Sequence, residues 1–258
     1  MNLFDLPLSE LKTYKPIQTK EADFDAFWES RVTESTHQPL NIEMKQREYC
    51  IKGVEVFDVY FDGFRNSRIH AVYVKPENMS DPKASVVLFH GYNWNNLTPI
   101  AALKYTIQGI PVLMVDVRGQ TILSPDHNHY VNGGASGWMT QGILDPDNYY
   151  YAYVYMDCYR AVDVMLSFDG AYNTKVIVEG GSQGGALTLA TAALHPKVSL
   201  ALSDIPYLCH FRRSIELYSD SPYNEIYHYF KVQDQLHQTE ETVYKTLSYV
   251  DCMNLADR

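Results

Sequence analysis

At 258 residues the chain is long enough for one sizeable domain with its own core, and 46% apolar with 20% charged residues is an ordinary globular balance. Asp and Glu number 31 against 21 Lys and Arg, a formal charge of −10. This argues against nucleic acid and anionic membranes as partners, because phosphates reward a basic surface.

The opening sixteen residues, MNLFDLPLSELKTYKP, carry no basic region followed by an apolar run, so no signal peptide is expected. No stretch approaches the length of a membrane span. Residues 1–40 read as a polar lead-in with an amphipathic helix near 22–32. Residues 42–60 and 68–75 alternate like antiparallel strands, with a turn at Asp62-Gly63. From Ala84 the texture changes to short apolar runs at 84–90, 110–116, 175–179 and 198–204, the pattern of strands buried on both faces of a parallel sheet. Helical stretches at 157–168 and 185–194 lie between them, and the alternation predicts a doubly wound α/β sheet. Residues 207–250 read as a helical excursion, and Tyr149-Tyr150-Tyr151 as a core or interface face. Cys50, Cys158, Cys209 and Cys252 form no CxxC pair. A zinc or redox motif is therefore not expected; buried free thiols in a reducing, cytoplasmic setting are.

The segment Gly180-Gly181-Ser182-Gln183-Gly184 carries the chemistry. A Gly-x-Ser-x-Gly directly after an apolar strand and directly before a small-residue helix meets the context of a nucleophile elbow. Ser182 is then held in a strained strand-to-helix turn, and side chains at 180 and 184 would collide across it. One oxyanion donor is expected from the amide of Gln183. The other should come from the loop that closes an earlier strand, His90-Gly91-Tyr92-Asn93, with the Tyr92 amide as donor. His90 precedes the nucleophile, the wrong chain order for the base in this fold.

These residues and several others resemble the acetyl xylan esterase and cephalosporin-C deacetylase family of carbohydrate esterases, essentially from end to end. The matching segments include Phe24-Asp25-Ala26-Phe27-Trp28, Asp116-Val117-Arg118-Gly119-Gln120, Gly142-Ile143-Leu144-Asp145-Pro146, Asp204-Ile205-Pro206-Tyr207-Leu208-Cys209 and Leu247-Ser248-Tyr249. The resemblance implies an α/β-hydrolase fold, a mostly parallel twisted sheet with helices on both faces, in one domain over 1–258. It implies a serine esterase that removes acetyl groups from small acetylated sugars or cephalosporin-like esters through an acyl-Ser182 intermediate, with no metal or organic cofactor. It further implies a homo-oligomer, a ring-shaped hexamer. Arg118 and Gln120 are expected to organise the site; Tyr207 either lines the acyl pocket or packs in the core.

In that family the acid and histidine of the triad follow the segment matching Leu247-Ser248-Tyr249, whereas this sequence ends at Arg258. About two strands and two helices, roughly 60 residues, are expected beyond it. Without a base the Ser182 hydroxyl is a weak nucleophile. Asp204 and His210 are the conceivable substitutes within the chain, and the family uses neither. Strand 198–204 should then be an exposed edge. Three situations remain open: a shortened version of a longer protein, a natural truncation serving as a non-catalytic structural or interaction subunit, or a partner chain covering the edge.

Overall fold

The computed structural model describes residues 6–94, 98–130, 137–171, 174–217 and 222–258. Positions 1–5 of the predicted lead-in and 218–221 of the predicted excursion lie outside the described residues. Seven strands, β1 (Glu43–Arg47), β2 (Val54–Asp62), β3 (Arg68–Pro76), β4 (Ala84–Phe89), β5 (Val112–Val115), β6 (Lys175–Gly181) and β7 (Val198–Asp204), form one sheet in the order β1-β2-β3-β5-β4-β6-β7. β5, β4, β6 and β7 pair in parallel. β1, β2 and β3 join antiparallel at the other side.

Strand periodicity explains the two layers of core. Val87, Phe89, Leu113, Val115, Val176 and Val178 point to one face, where α4 (Tyr150–Ser167) and α5 (Gln183–Leu194) cover them. Val86, Leu88, Val112 and Met114 point to the other, where Ala102 and the short α3 (Leu103–Thr106) give thinner cover. The expected continuous strand over 42–60 is instead β1 and β2, separated at 48–53, where Gly53 turns with φ +84°. Between β2 and β3, Gly63 donates its amide to the Ser67 carbonyl at 2.7 Å, which closes the predicted turn.

The lead-in holds α1 (Leu8–Leu11) and α2 (Phe24–His37), which buries Phe24, Phe27 and Trp28. The Trp28 indole donates to the Tyr249 carbonyl at 3.0 Å and so fastens α2 to α8 (Glu240–Val250). Helix α4 starts seven residues before the predicted position. Asp145 caps the preceding turn by accepting the Asp147 amide at 3.0 Å. Tyrosine is an indifferent helix former, so burial makes this first turn helical: Tyr149, Tyr150 and Tyr151 are fully enclosed. Arg160 on α4 is buried and donates to the carbonyls of Asp62, Ser35, Gln38 and Pro39, which ties the end of α2 to the end of β2.

The excursion consists of α6 (Phe211–Leu217), α7 (Asn224–Val232) and α8, followed by α9 (Cys252–Leu255). The thiols are all free, but only Cys158 and Cys252 are buried. Cys50 is exposed and Cys209 half-buried, which corrects the expectation of four buried thiols: Cys50 lies in the open link between β1 and β2. β7 forms one end of the sheet, and Leu200 and Leu202 on it are 49% and 40% exposed. No described helix is long and apolar enough to cross a membrane.

Candidate active site

Ser182 sits between the last residue of β6 and the first of α5 with φ 55° and ψ −116°, a conformation that L-residues hold only when their surroundings enforce it. Here the enforcement is backbone. The Ser182 amide donates to the Asp204 carbonyl at 3.0 Å, and the Ser182 carbonyl accepts the amides of Tyr207 and Ala186, each at 3.1 Å. The elbow is thereby tied to the end of β7 and to its own helix. A Cβ at Gly180 would stand 2.4 Å from the Gly184 backbone, and one at Gly184 would stand 2.2 Å from the Phe89 carbonyl oxygen. Gly180 is therefore imposed by close approach across the turn, as the spacing predicted, whereas Gly184 is imposed by the end of β4.

An open cleft of about 390 Å³ runs beside Ser182, walled by Gly91, Trp94, Leu202, Asp204 and Ile205. The Ser182 hydroxyl is partly exposed, and among the described residues it has no side-chain hydrogen bond. Asp204 shares the cleft. His210 does not: its ring meets the Tyr14 hydroxyl at 3.1 Å and stacks on that ring. His90 borders the cleft with both ring nitrogens committed. Nε2 accepts the Val117 amide at 2.9 Å, so Nδ1 must carry the proton it donates to the Gly91 carbonyl at 2.7 Å. Burial lowers its pKa, and the neutral ring braces the loop after β4. A larger cavity of about 450 Å³ lies between His210, Lys245 and Asp251 and does not include Ser182.

Gln183 is the first residue of α5, where amide hydrogens lack helical acceptors. Among the described residues neither the Gln183 nor the Tyr92 amide donates to another protein group. The two segments are joined by a buried network. The Gln120 and Gln183 side-chain amides exchange hydrogen bonds at 2.8 and 3.0 Å. Gln120 Oε1 also accepts the Asn93 amide at 3.0 Å, and its Nε2 donates to the Tyr150 hydroxyl at 3.1 Å. The Tyr151 hydroxyl donates to Gln183 Oε1 at 2.9 Å. Gln120 thus bridges the loop after β4 to the elbow, and all its polar atoms are satisfied.

Arg118 lies beneath this layer, fully buried. It donates to both carboxylate oxygens of Asp157 at 2.6 and 2.7 Å and to the Phe64 carbonyl at 2.6 Å. Burial pulls its pKa down, Asp157 pulls it up, and the net shift is upward. It fixes loops and does not border the cleft. Tyr207 is also buried, its hydroxyl at 3.1 Å from that of Tyr151 and bonded to the Met139 sulfur. It packs among buried side chains and does not wall this cleft. The Tyr92 ring stands edge-on to Trp138 and Tyr207, and its hydroxyl donates to Glu225. Burial pushes the Glu225 carboxyl above the usual range, against the pull of Tyr92 and the Met139 amide.

Sequence reasoning did not reach Asp157, Glu225 or the brace made by His90. Asp157 left a trace, since an acid set among buried apolar and aromatic residues of a helix implies a buried cation. Glu225 left none, because it stands 133 residues from Tyr92. Among the described residues no three His, Cys, Asp or Glu side chains are grouped to hold a metal ion.

The whole chain, residues 1–258, matches the family model for acetyl xylan esterase. The acetyl esterase Axe7A of Xylanibacter ruminicola is 30% identical over 253 residues, which cover 95% of this chain and 55% of that protein. The chain thus spans about half the length of the curated relative it matches. The structure of an acetyl xylan esterase from Paenibacillus sp. R4 superposes with a TM-score of 0.94 at 44% identity, covering 98% of this chain and 81% of that one. Acetyl xylan esterase 1 from Thermoanaerobacterium sp. JW/SL YS485 gives 0.93 at 33% identity, covering 98% and 80%.

Proposed function

The chain belongs to the acetyl xylan esterase family, and from that membership we propose that it is built as a serine esterase that removes acetyl groups from small acetylated sugars or cephalosporin-like esters. Ser182 attacks the acetyl carbonyl, and the alcohol leaves as acetyl-Ser182 forms. Water then hydrolyses this intermediate and releases acetate. The amides of Tyr92 and Gln183 hold the oxyanion, aided by the N-terminal end of α5. Arg118 and Gln120 keep those donors in place without reacting. The reading is carried by one observation, the strained conformation of Ser182 at the mouth of a cleft, with the uncommitted Gln183 amide next to it in the chain.

The reaction needs a general base and an acid to orient it, and the described residues place neither a free histidine nor an Asp-His pair against Ser182. In this proposal both come from outside those residues, from further chain or from a partner. The same gap favours a second reading, a family member kept for assembly or binding. Acetate release from acetylated xylose and from 7-aminocephalosporanic acid separates the two. The first reading expects release that falls by at least about 10³-fold in Ser182→Ala; equal rates in both proteins, or none in the wild type, favour the second. By the same family likeness we propose a cytoplasmic homo-oligomer, a hexamer, which light scattering would test.

A further inference from the structure

Glu225 is the second residue of α7, in the excursion beyond β7, yet it closes on the loop after β4. One carboxylate oxygen accepts the Tyr92 hydroxyl and the other accepts the Met139 amide at 2.9 Å. The Tyr92 hydroxyl in turn accepts the Trp138 amide at 3.1 Å, and the Tyr92 and Trp138 rings meet edge-to-face at 5.2 Å. Three donors from two segments converge on one half-buried carboxylate and the hydroxyl it holds. The backbone makes room for this: Gly137 has φ +88°, and a Cβ there would stand 1.9–2.1 Å from the Glu225 carboxylate atoms. Among the described residues no cation pairs with Glu225. A buried carboxylate without a cation is costly, so its hydrogen bonds are its compensation. Only a carboxylate presents two acceptors and no donor to two donors.

We propose that Glu225 is a positioning residue of the esterase site: by clamping the Tyr92 side chain against residues 137–139, it fixes the Tyr92 amide where the oxyanion forms. The proposal rests on the function proposed above. The excursion then has a task in the site, to supply the far wall of the oxyanion loop. Displacement of a donor costs less than its loss, which is worth about 10²–10³ in kcat.

The experiment compares the wild type with Glu225→Ala, Glu225→Gln and Tyr92→Phe, alone and combined, on a short acetyl ester, together with amide hydrogen exchange over residues 89–94. Glu225→Ala should lower kcat by about 10- to 100-fold with KM within about twofold, and exchange in that loop should quicken. Glu225→Gln keeps the shape, loses one acceptor and should fall between. Tyr92→Phe combined with Glu225→Ala should be no worse than Glu225→Ala alone, since both cut one connection. Unchanged exchange at 89–94 in Glu225→Ala and Glu225→Gln would overturn the clamp, as would strictly additive losses. Should the wild type release no acetate, the esterase reading falls, and loop exchange alone decides the clamp.

Discussion

Arg118 carries its charge into a fully buried place and finds both oxygens of Asp157 there. Breaking such a buried pair strands the surviving charge. Arg118→Ala is therefore expected to cost about 3–5 kcal/mol in urea unfolding, and Arg118→Lys to restore little, because an ammonium cannot make the two-pronged contact. A cost below about 1 kcal/mol would show that the pair is not what holds the loops. His70 makes a different prediction. Burial lowers its pKa, but hydrogen bonds to Asp116 at 2.7 Å and Asp58 at 3.0 Å prevail and raise it above 6.5. A raised folded pKa means that the imidazolium stabilises the native state fully below its unfolded pKa, and that this stability is lost as pH rises through the folded value. Melting temperature should therefore fall on raising the pH from 6 toward 9, and that component should vanish in His70→Gln. At this scale the sequence was legible where a residue type is unusual for its place, as with Ser182 between glycines or Arg118-Gly119-Gln120. It was silent where a role is created by distant partners, as with Glu225, or where a ring nitrogen is claimed by a backbone amide, as with His90.

The elbow is the element on which the site depends, and it can be tested one glycine at a time. A methyl at Gly184 would press to 2.2 Å on the Phe89 carbonyl oxygen, whereas one at Gly181 would meet nothing closer than 3.9 Å. Gly184→Ala is expected to cost about 1–3 kcal/mol through overpacking and to displace Ser182, with Gly181→Ala close to wild type in thermal unfolding. Similar losses at both positions would contradict the close-approach account. The runs that became β4, β5, β6 and β7 were readable because strands covered on both faces have little choice but apolar residues. The start of α4 was not, because its first turn is tyrosine-rich and enclosed on all sides, so no amphipathic stripe marks it. The break between β1 and β2 escaped for a related reason: exposed strands such as β1 carry polar residues that blur into the link.

Over the whole molecule the sheet is asymmetric. One face is buried under α4 and α5, while β7 ends the sheet with Leu200 and Leu202 exposed and Ile205 beyond it 75% exposed at the cleft. Apolar strand edges of this kind invite pairing. The 258-residue chain is expected to self-associate or to bind an apolar dye, and Leu202→Lys to reduce either, as sedimentation and dye fluorescence would show; an unchanged response would mean that β7 is not the sticky surface. The same end of the sheet leaves Ser182 open at the cleft. The most direct test of the account is the covalent one. After brief incubation with an acetyl ester and an acid quench, peptide mass mapping should place an acetyl group on Ser182 and on no other residue, with none in Ser182→Ala. Acetate release without that adduct, or release that persists in Ser182→Ala, would contradict it.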